Sequence, residues 1–299
     1  METILQWGID LIITIQQIHG PALDSIFRAI TFMGEEEFYL VILPLLLWCV
    51  DFGLGARVGA LFLLSTSFNF GIKDLCRQPR PFELDASLKL ADAEGYGLPS
   101  GHSQSAVIVW GSIAAWAHKN WVWAVATVLM LLIGFSRIYL GVHFPTDVLA
   151  GWAIGTVLLC LCLAVQLRVE EWLAKLRLRT HILLALAVPL LLLAIHPTKD
   201  TVTALAPLAG MGIGLALTHR YISFSARGPW WQRALRFLLG GAIVAALYLG
   251  LKMVFPGEES PFYLAFRFLR YGVVGLWTTS GAPWLFRLVR LTTEPDGHA

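Results

Sequence analysis

The sequence predicts an all-α, polytopic membrane bundle, and three observations predict it. Hydrophobic residues make up 57% of the 299 and charged residues only 14%, with a mean hydropathy of +0.68. That is far too apolar for a water-soluble domain of this length. The apolar residues gather in runs of helical length. Lys and Arg, in turn, crowd the connectors on one side of the successive runs, as orientation in a bilayer demands.

Taken in order, the runs predict helices at about 38–50, 58–72, 104–118, 121–135, 148–166, 182–195, 203–217, 237–255 and 271–289. Several are shorter than the ~20 residues a bilayer asks for, so flanking residues must extend them. The stretch 4–18 has two readings. Asp10, Gln16 and Gln17 interrupt it, while Ile4, Leu5, Leu11, Ile12, Ile15 and Ile18 recur at roughly helical spacing. We read it as an interfacial amphipathic helix, with a first spanning helix as the alternative. The first twenty residues lack the charged start, uninterrupted apolar core and small-residue cleavage site of a removable leader.

The basic stretch 168–179, with Trp172, reads as a cytoplasmic connector between a catalytic half, 1–167, and a C-terminal helical half, 180–299. The net charge of +2 says little about partners, because in a polytopic chain its distribution matters more than its sum. Nothing marks a nucleic-acid surface. Of the four cysteines only Cys76 lies outside the apolar runs, so no disulfide framework is implied. Metal-ligand motifs are likewise absent.

Chemistry concentrates in three short segments. Lys73 is followed by Arg80-Pro81, then come Pro99-Ser100-Gly101-His102, then Ser136-Arg137 with His143 and Asp147. Helix 58–72 delivers Lys73 at its exit, 104–118 opens just after His102, 121–135 delivers Arg137, and 148–166 begins just after Asp147. Counting spans puts all four ends on one face of the membrane. The opposite face collects Arg57, Lys119, Arg168, Lys175, Arg177, Arg179, Arg220, Arg227, Arg233 and Arg236, which places it in the cytoplasm and the motifs outside.

Lys73, Arg80 and Arg137 can neutralise phosphate oxygens, arginine through its planar fork and lysine as a point charge. An isolated one would read as a snorkelling helix end. His143 and Asp147 are four residues apart, with Pro145 suited to the first turn of a helix, so the carboxylate can reach back and fix the imidazole tautomer. The free ring nitrogen is then a nucleophile. Ser100 and Gly101 open a helix whose first N–H groups can point at an anion, and the alternative for Ser100 is an ordinary cap. His102 is placed to act as general acid. We read the triplet Glu35-Glu36-Glu37 as a solvated helix start rather than a lining of the site mouth.

Together, in this order and spacing, the segments resemble the three-part signature of the type 2 phosphatidic acid phosphatase superfamily: K-x6-R-P, P-S-G-H and S-R-x5-H-x3-D. All three parts match without a departure, and the resemblance covers roughly residues 30–167. It implies a six-helix core that uses no metal or other cofactor. It also implies phosphate binding by Lys73, Arg80 and Arg137 with help from Ser100 and Gly101, His102 as the acid, and His143 as a nucleophile held by Asp147. About three further helices after Arg179 lie beyond that core.

The expected activity is hydrolysis, through a phosphohistidine, of a lipid phosphate such as phosphatidic acid, phosphatidylglycerol phosphate or a polyprenyl (pyro)phosphate. The setting would be a bilayer, most simply a bacterial inner membrane. Three alternatives stand beside it: a lipid phosphotransferase using the same intermediate, a sugar-phosphatase resembling glucose-6-phosphatase, and a non-enzymatic transporter or scaffold with a vestigial site. Orientation is testable directly. A membrane-impermeant thiol reagent on intact cells is expected to label Cys76 and to miss a cysteine engineered at Lys119 until the membrane is opened; the reverse pattern would put the motifs in the cytoplasm.

Overall fold

A computed structural model of the chain describes residues 2–292. Two compact units emerge, one holding the chain up to Leu40 with Phe68–Ala164, the other holding Val41–Ser67 with the chain from Val165 onward. Residues 41–67 therefore group with the C-terminal helices and not with the motif-bearing ones. No strand occurs among the described residues.

The helices of the first unit are α1 (Glu2–Gln16), α2 (Pro21–Phe32), the start of α3 (Glu36–Leu45), the end of α4 (Phe52–Cys76), α5 (Pro81–Leu84), α6 (Gly101–Ala117), α7 (Asn120–Tyr139) and most of α8 (Pro145–Ala174). They include the expected ones and two that the apolar runs did not give, α2 and α5. Pro145 opens α8, where its missing N–H costs nothing. The second unit adds α9 (Leu178–Ile195), α10 (Lys199–Tyr221), α11 (Trp230–Val254), α12 (Tyr263–Leu276) and α13 (Ala282–Leu288). Among the described residues α7, α8, α9, α10 and α11 are long and apolar enough to cross a membrane. The protein is an all-α integral membrane protein.

The other expected spans are helical in a different form. Pro44 inside α3 cannot donate to the helix ladder, and the helix widens beyond it into a π turn at Leu46–Val50. The expected span 271–289 is likewise divided, with a π turn at Trp277–Gly281 between α12 and α13. Helix α6 has 17 residues, about 26 Å at 1.5 Å per residue. The stretch expected as a connector, 168–179, is mostly helix, because α8 continues to Ala174 and only 175–177 turn. Arg57 holds Glu170 of that extension at 2.6 Å.

Glycine sets the close approaches in the first unit. Gly151 and Gly155, one turn apart on α8, lie against the start of α6, where an added Cβ would stand 2.5 Å from the Ser100 carbonyl oxygen and 2.9 Å from that of Gln104. In the turn between α7 and α8, Gly141 has φ +70°, and a Cβ there would run into the Leu88 carbonyl oxygen at 1.9 Å. That turn is the floor of the unit. Tyr139, Leu140 and Val142 pack with Phe27 and Phe82, while Ile12, Leu88 and Phe144 form the neighbouring apolar group. Gln16, buried at the end of α1, donates to the carbonyls of Leu88 (2.9 Å) and Tyr139 (2.8 Å).

In the second unit α10 is the central helix, packed against α9 and α12. Its Gly210 and the Gly275 of α12 admit the facing backbone, since Cβ atoms there would stand 1.9 Å from the Gly272 oxygen and 2.2 Å from the Pro207 oxygen. A second apolar group joins Trp48 and Phe286, and the Trp48 indole donates to the Thr278 carbonyl at 2.9 Å.

These contacts yield a stability test. Gly151→Ala forces a methyl against a backbone oxygen and is expected to cost about 1–3 kcal/mol, read as a lower thermal midpoint of the solubilised protein. Gly241→Ala, which meets nothing within 4 Å inside α11, serves as the control and should hold or raise the midpoint, since alanine is the better helix former. Equal midpoints for the two variants would contradict the packing described.

Candidate active site

All eight residues singled out in the sequence lie in the first unit, and its helix ends bring them together. Lys73 stands in the last turn of α4, where its ammonium donates to the Tyr96 carbonyl. Arg80 is 4% exposed and caps α5. Its Nε donates to the Gly95 carbonyl (2.7 Å), Nη2 to that of Glu94 (2.6 Å), and Nη1 to that of Val142 (2.8 Å) while lying 3.3 Å from His143 Nε2. These contacts engage four of the five N–H groups a guanidinium carries. Arg80 thus pins the 94–97 segment as well as bringing charge to the site.

Ser100 is the N-cap of α6, and its hydroxyl oxygen accepts from the Ser103 N–H (3.4 Å) and hydroxyl (2.9 Å). Cap and anion site coincide here, because the same turn presents the first N–H groups of α6. Gly101 comes next with Asn69 close by, whose amide bridges to Pro99 and Gln104. His102 sits in that first turn. Arg137, 3% exposed in the last turn of α7, donates to Thr31 Oγ1 at 2.6 Å, and its Nε is buried with no hydrogen-bond partner. Ser136 bonds back to its own helix at the Ile133 carbonyl (2.6 Å).

His143 and Asp147 meet as expected, Nδ1 lying 3.3 Å from Oδ2. The same carboxylate accepts the Phe144 N–H (2.9 Å) and the Gln78 amide (2.6 Å), and the Asp147 carbonyl accepts the Ser100 N–H (2.9 Å). A carboxylate only accepts and a guanidinium only donates, so Asp147 on one side and Arg80 on the other fix the proton on Nδ1 and leave the lone pair on Nε2. Burial, then the charges of Arg80, Lys73, Arg137 and His102, hold His143 well below the usual histidine range. Burial and these charges favour the neutral ring.

The structure also supplies residues that the sequence did not single out. The connector between α2 and α3 crosses His102, with Gly34 so close that a Cβ would stand 2.6 Å from the ring. Glu35 Oε1 lies 3.1 Å from His102 Nε2 and 3.6 Å from Arg137 Nη1. Burial works against its charge, but His102 and Arg137 outweigh that, so the carboxyl sits below its ordinary range. This corrects the reading of the acidic triplet. Glu36 and Glu37 are the exposed start of α3, whereas Glu35 belongs to the site. Thr31, Gln78, Asn69 and Gln104 also belong to it, and no motif spacing pointed to them.

Comparison with known proteins identifies the family. The PAP2 superfamily matches residues 54–171, and the transmembrane extension of PAP2 superfamily phosphatases matches residues 202–294. Phosphatidylglycerophosphatase B of Bacillus subtilis is 32% identical over 154 residues, 47% of this chain and 74% of its own. Lipid phosphate phosphatase delta of Arabidopsis thaliana is 29% identical over 209 residues, 64% of this chain. The match spans about half of that relative, 50% of its length. Among solved structures, the transmembrane PAP2-type phosphatidylglycerolphosphate phosphatase of Bacillus subtilis aligns with a TM-score of 0.50 at 27% identity, covering 59% of this chain and 90% of that one. The chain belongs to the PAP2 superfamily.

The charge state of His143 can be measured. In ¹⁵N spectra of histidine-labelled protein, assigned by its loss in His143→Ala, the ring should remain the neutral Nδ1–H tautomer at pH 6. An ordinary histidine, with a pKa of about 6.5, would by then be mostly protonated. An imidazolium signal at that pH would contradict the tautomer read from Asp147 and Arg80.

Proposed function

We propose that this protein is a metal-independent lipid phosphate phosphatase working through a phosphohistidine. The observation that carries the reading is an oriented imidazole, His143, held between Asp147 and Arg80 and surrounded by cations. In the first step Arg80 Nη1 turns from His143 to the phosphate, the freed Nε2 lone pair attacks phosphorus, the P–O bond to the lipid breaks, and the departing alkoxide takes a proton from His102. Asp147 stabilises the positive charge that grows on the His143 ring. Lys73, Arg137 and the remaining Arg80 donor, with the first N–H groups of α6, hold the phosphoryl oxygens. Water then attacks the phosphohistidine while His102 takes back a proton, releasing phosphate and restoring His143. Glu35 keeps a carboxylate against His102 through both steps.

The substrate class is a lipid carrying a terminal phosphate or diphosphate: phosphatidic acid, phosphatidylglycerol phosphate or a polyprenyl (pyro)phosphate. The apolar helices and the names of the relatives support it. The basic connectors favour a catalytic portion, 1–167, open to the outer side of a bacterial inner membrane, with 180–299 as its extension and α1 lying at the interface.

The test is release of inorganic phosphate from a panel of lipid and sugar phosphates by purified protein in EDTA. Lipid phosphates should be turned over, vanadate should inhibit as a trigonal-bipyramidal mimic of the transition state, and His143→Ala should retain less than about a thousandth of wild-type activity. Activity lost in EDTA and restored by Mg²⁺ would overturn the metal-independent mechanism. Full turnover by His143→Ala would remove the nucleophile.

A further inference from the structure

Two buried arginines of the C-terminal unit each have an aromatic ring beside them and a buried Nε without a hydrogen-bond partner, but differ in what their other donors meet. Arg236, fully buried on α11, donates to the carbonyls of Ser225 (3.0 Å), Ala226 (2.9 Å) and Arg227 (3.0 Å), so it serves to close the loop before its own helix. Arg270, on α12, is 7% exposed. It makes no hydrogen bond and no ion pair among the described residues, and its Nε is buried without a partner. Two aromatic rings flank it, with the guanidinium carbon 5.3 Å from the Tyr248 ring and 5.1 Å from the Tyr271 ring.

A second cation stands close to Tyr271. The Arg267 guanidinium lies 5.2 Å from the same ring and is fixed by Thr203 Oγ1 (3.1 and 2.8 Å), the Lys199 carbonyl (3.2 Å) and the Tyr263 hydroxyl (2.6 Å). None of those acceptors carries a charge. Aromatic faces attract a guanidinium but accept no N–H fork, so they orient Arg270 without satisfying its donors. A buried cation without a counter-charge is costly to keep.

We propose that Arg270, with Arg267 beside it, forms an accessory site for a phosphate oxyanion, separate from the residues of the PAP2 signature. Two sources of that chemistry are at hand: the phosphate of a membrane lipid headgroup, and free inorganic phosphate. Arg267 and Arg270 are the fifth and eighth residues of α12, roughly 6 and 10 Å along the helix from its start. The fork of Arg270 would take two oxygens, with its aromatic walls excluding water.

The experiment is native mass spectrometry of the full-length, delipidated protein in detergent, titrated with phosphatidylglycerol, with a galactosyl diacylglycerol that has no phosphate, and with inorganic phosphate. Wild type should retain one phosphatidylglycerol at least tenfold more tightly than Arg270→Gln, and the galactolipid should show no such difference. Arg270→Lys keeps the charge but loses the fork, and is expected to bind about threefold more weakly than wild type. Displacement of the lipid by millimolar phosphate would support the site and name the free anion as a competing occupant; lack of displacement would support the site with the headgroup as its source. Unchanged retention of phosphatidylglycerol and phosphate by Arg270→Gln would overturn the proposal. If that variant does not fold, wild-type affinity in Arg270→Lys would overturn it equally.

Discussion

The Asp147 carboxylate is where the three signature segments become one object. It accepts from His143, from the Phe144 N–H and from Gln78, while its own carbonyl takes the Ser100 N–H. Gln78 belongs to the first segment, Ser100 to the second and His143 to the third, so one fully buried residue registers them all. A carboxylate so placed, away from water, is tolerable only because its acceptor capacity is met by protein donors. Removing it would leave Gln78 and the Phe144 N–H to find new partners as well as freeing the imidazole.

Around that hub the site is built from cations, and the chain manages their mutual repulsion by giving them different second tasks. Arg137 leans on Thr31 and lies near Glu35, Lys73 on the Tyr96 carbonyl, and Arg80 on three carbonyls. Backbone carbonyls spread a guanidinium's charge without cancelling it. Glu35 is the one carboxylate near both His102 and Arg137 among the described residues. Because it comes from the connector between α2 and α3, the pocket is closed by a part of the chain that the signature does not include.

Much of this is legible in the amino-acid order alone. The all-α membrane class comes from apolar content, and the eight candidate residues sit in motifs whose spacing forces them to the ends of helices. Less legible is whatever depends on distance across the bundle. Thr31, Asn69, Gln78 and Gln104 are ordinary polar residues, and only packing tells which of them are buried beside the site. Glu35 is hidden by its neighbours, since three consecutive acids at a helix start suit the dipole equally well. The helix breaks at Leu46–Val50 and Trp277–Gly281 are similarly invisible, because a hydropathy pattern has no feature that distinguishes a π turn from an α turn. The extent of α8 is obscured for a related reason: basic residues suggest a connector, yet a helix can project past the apolar zone and carry its charges with it.

Arg80 is a single side chain that both supplies charge and ties a loop. Its contacts to Glu94, Gly95 and Val142 draw on the width of the guanidinium, which a lysine at that place would lack even while matching its charge. Electrostatics and loop order at position 80 are therefore one variable. A substitution there cannot retune the field without also loosening the 94–95 segment that the same guanidinium holds.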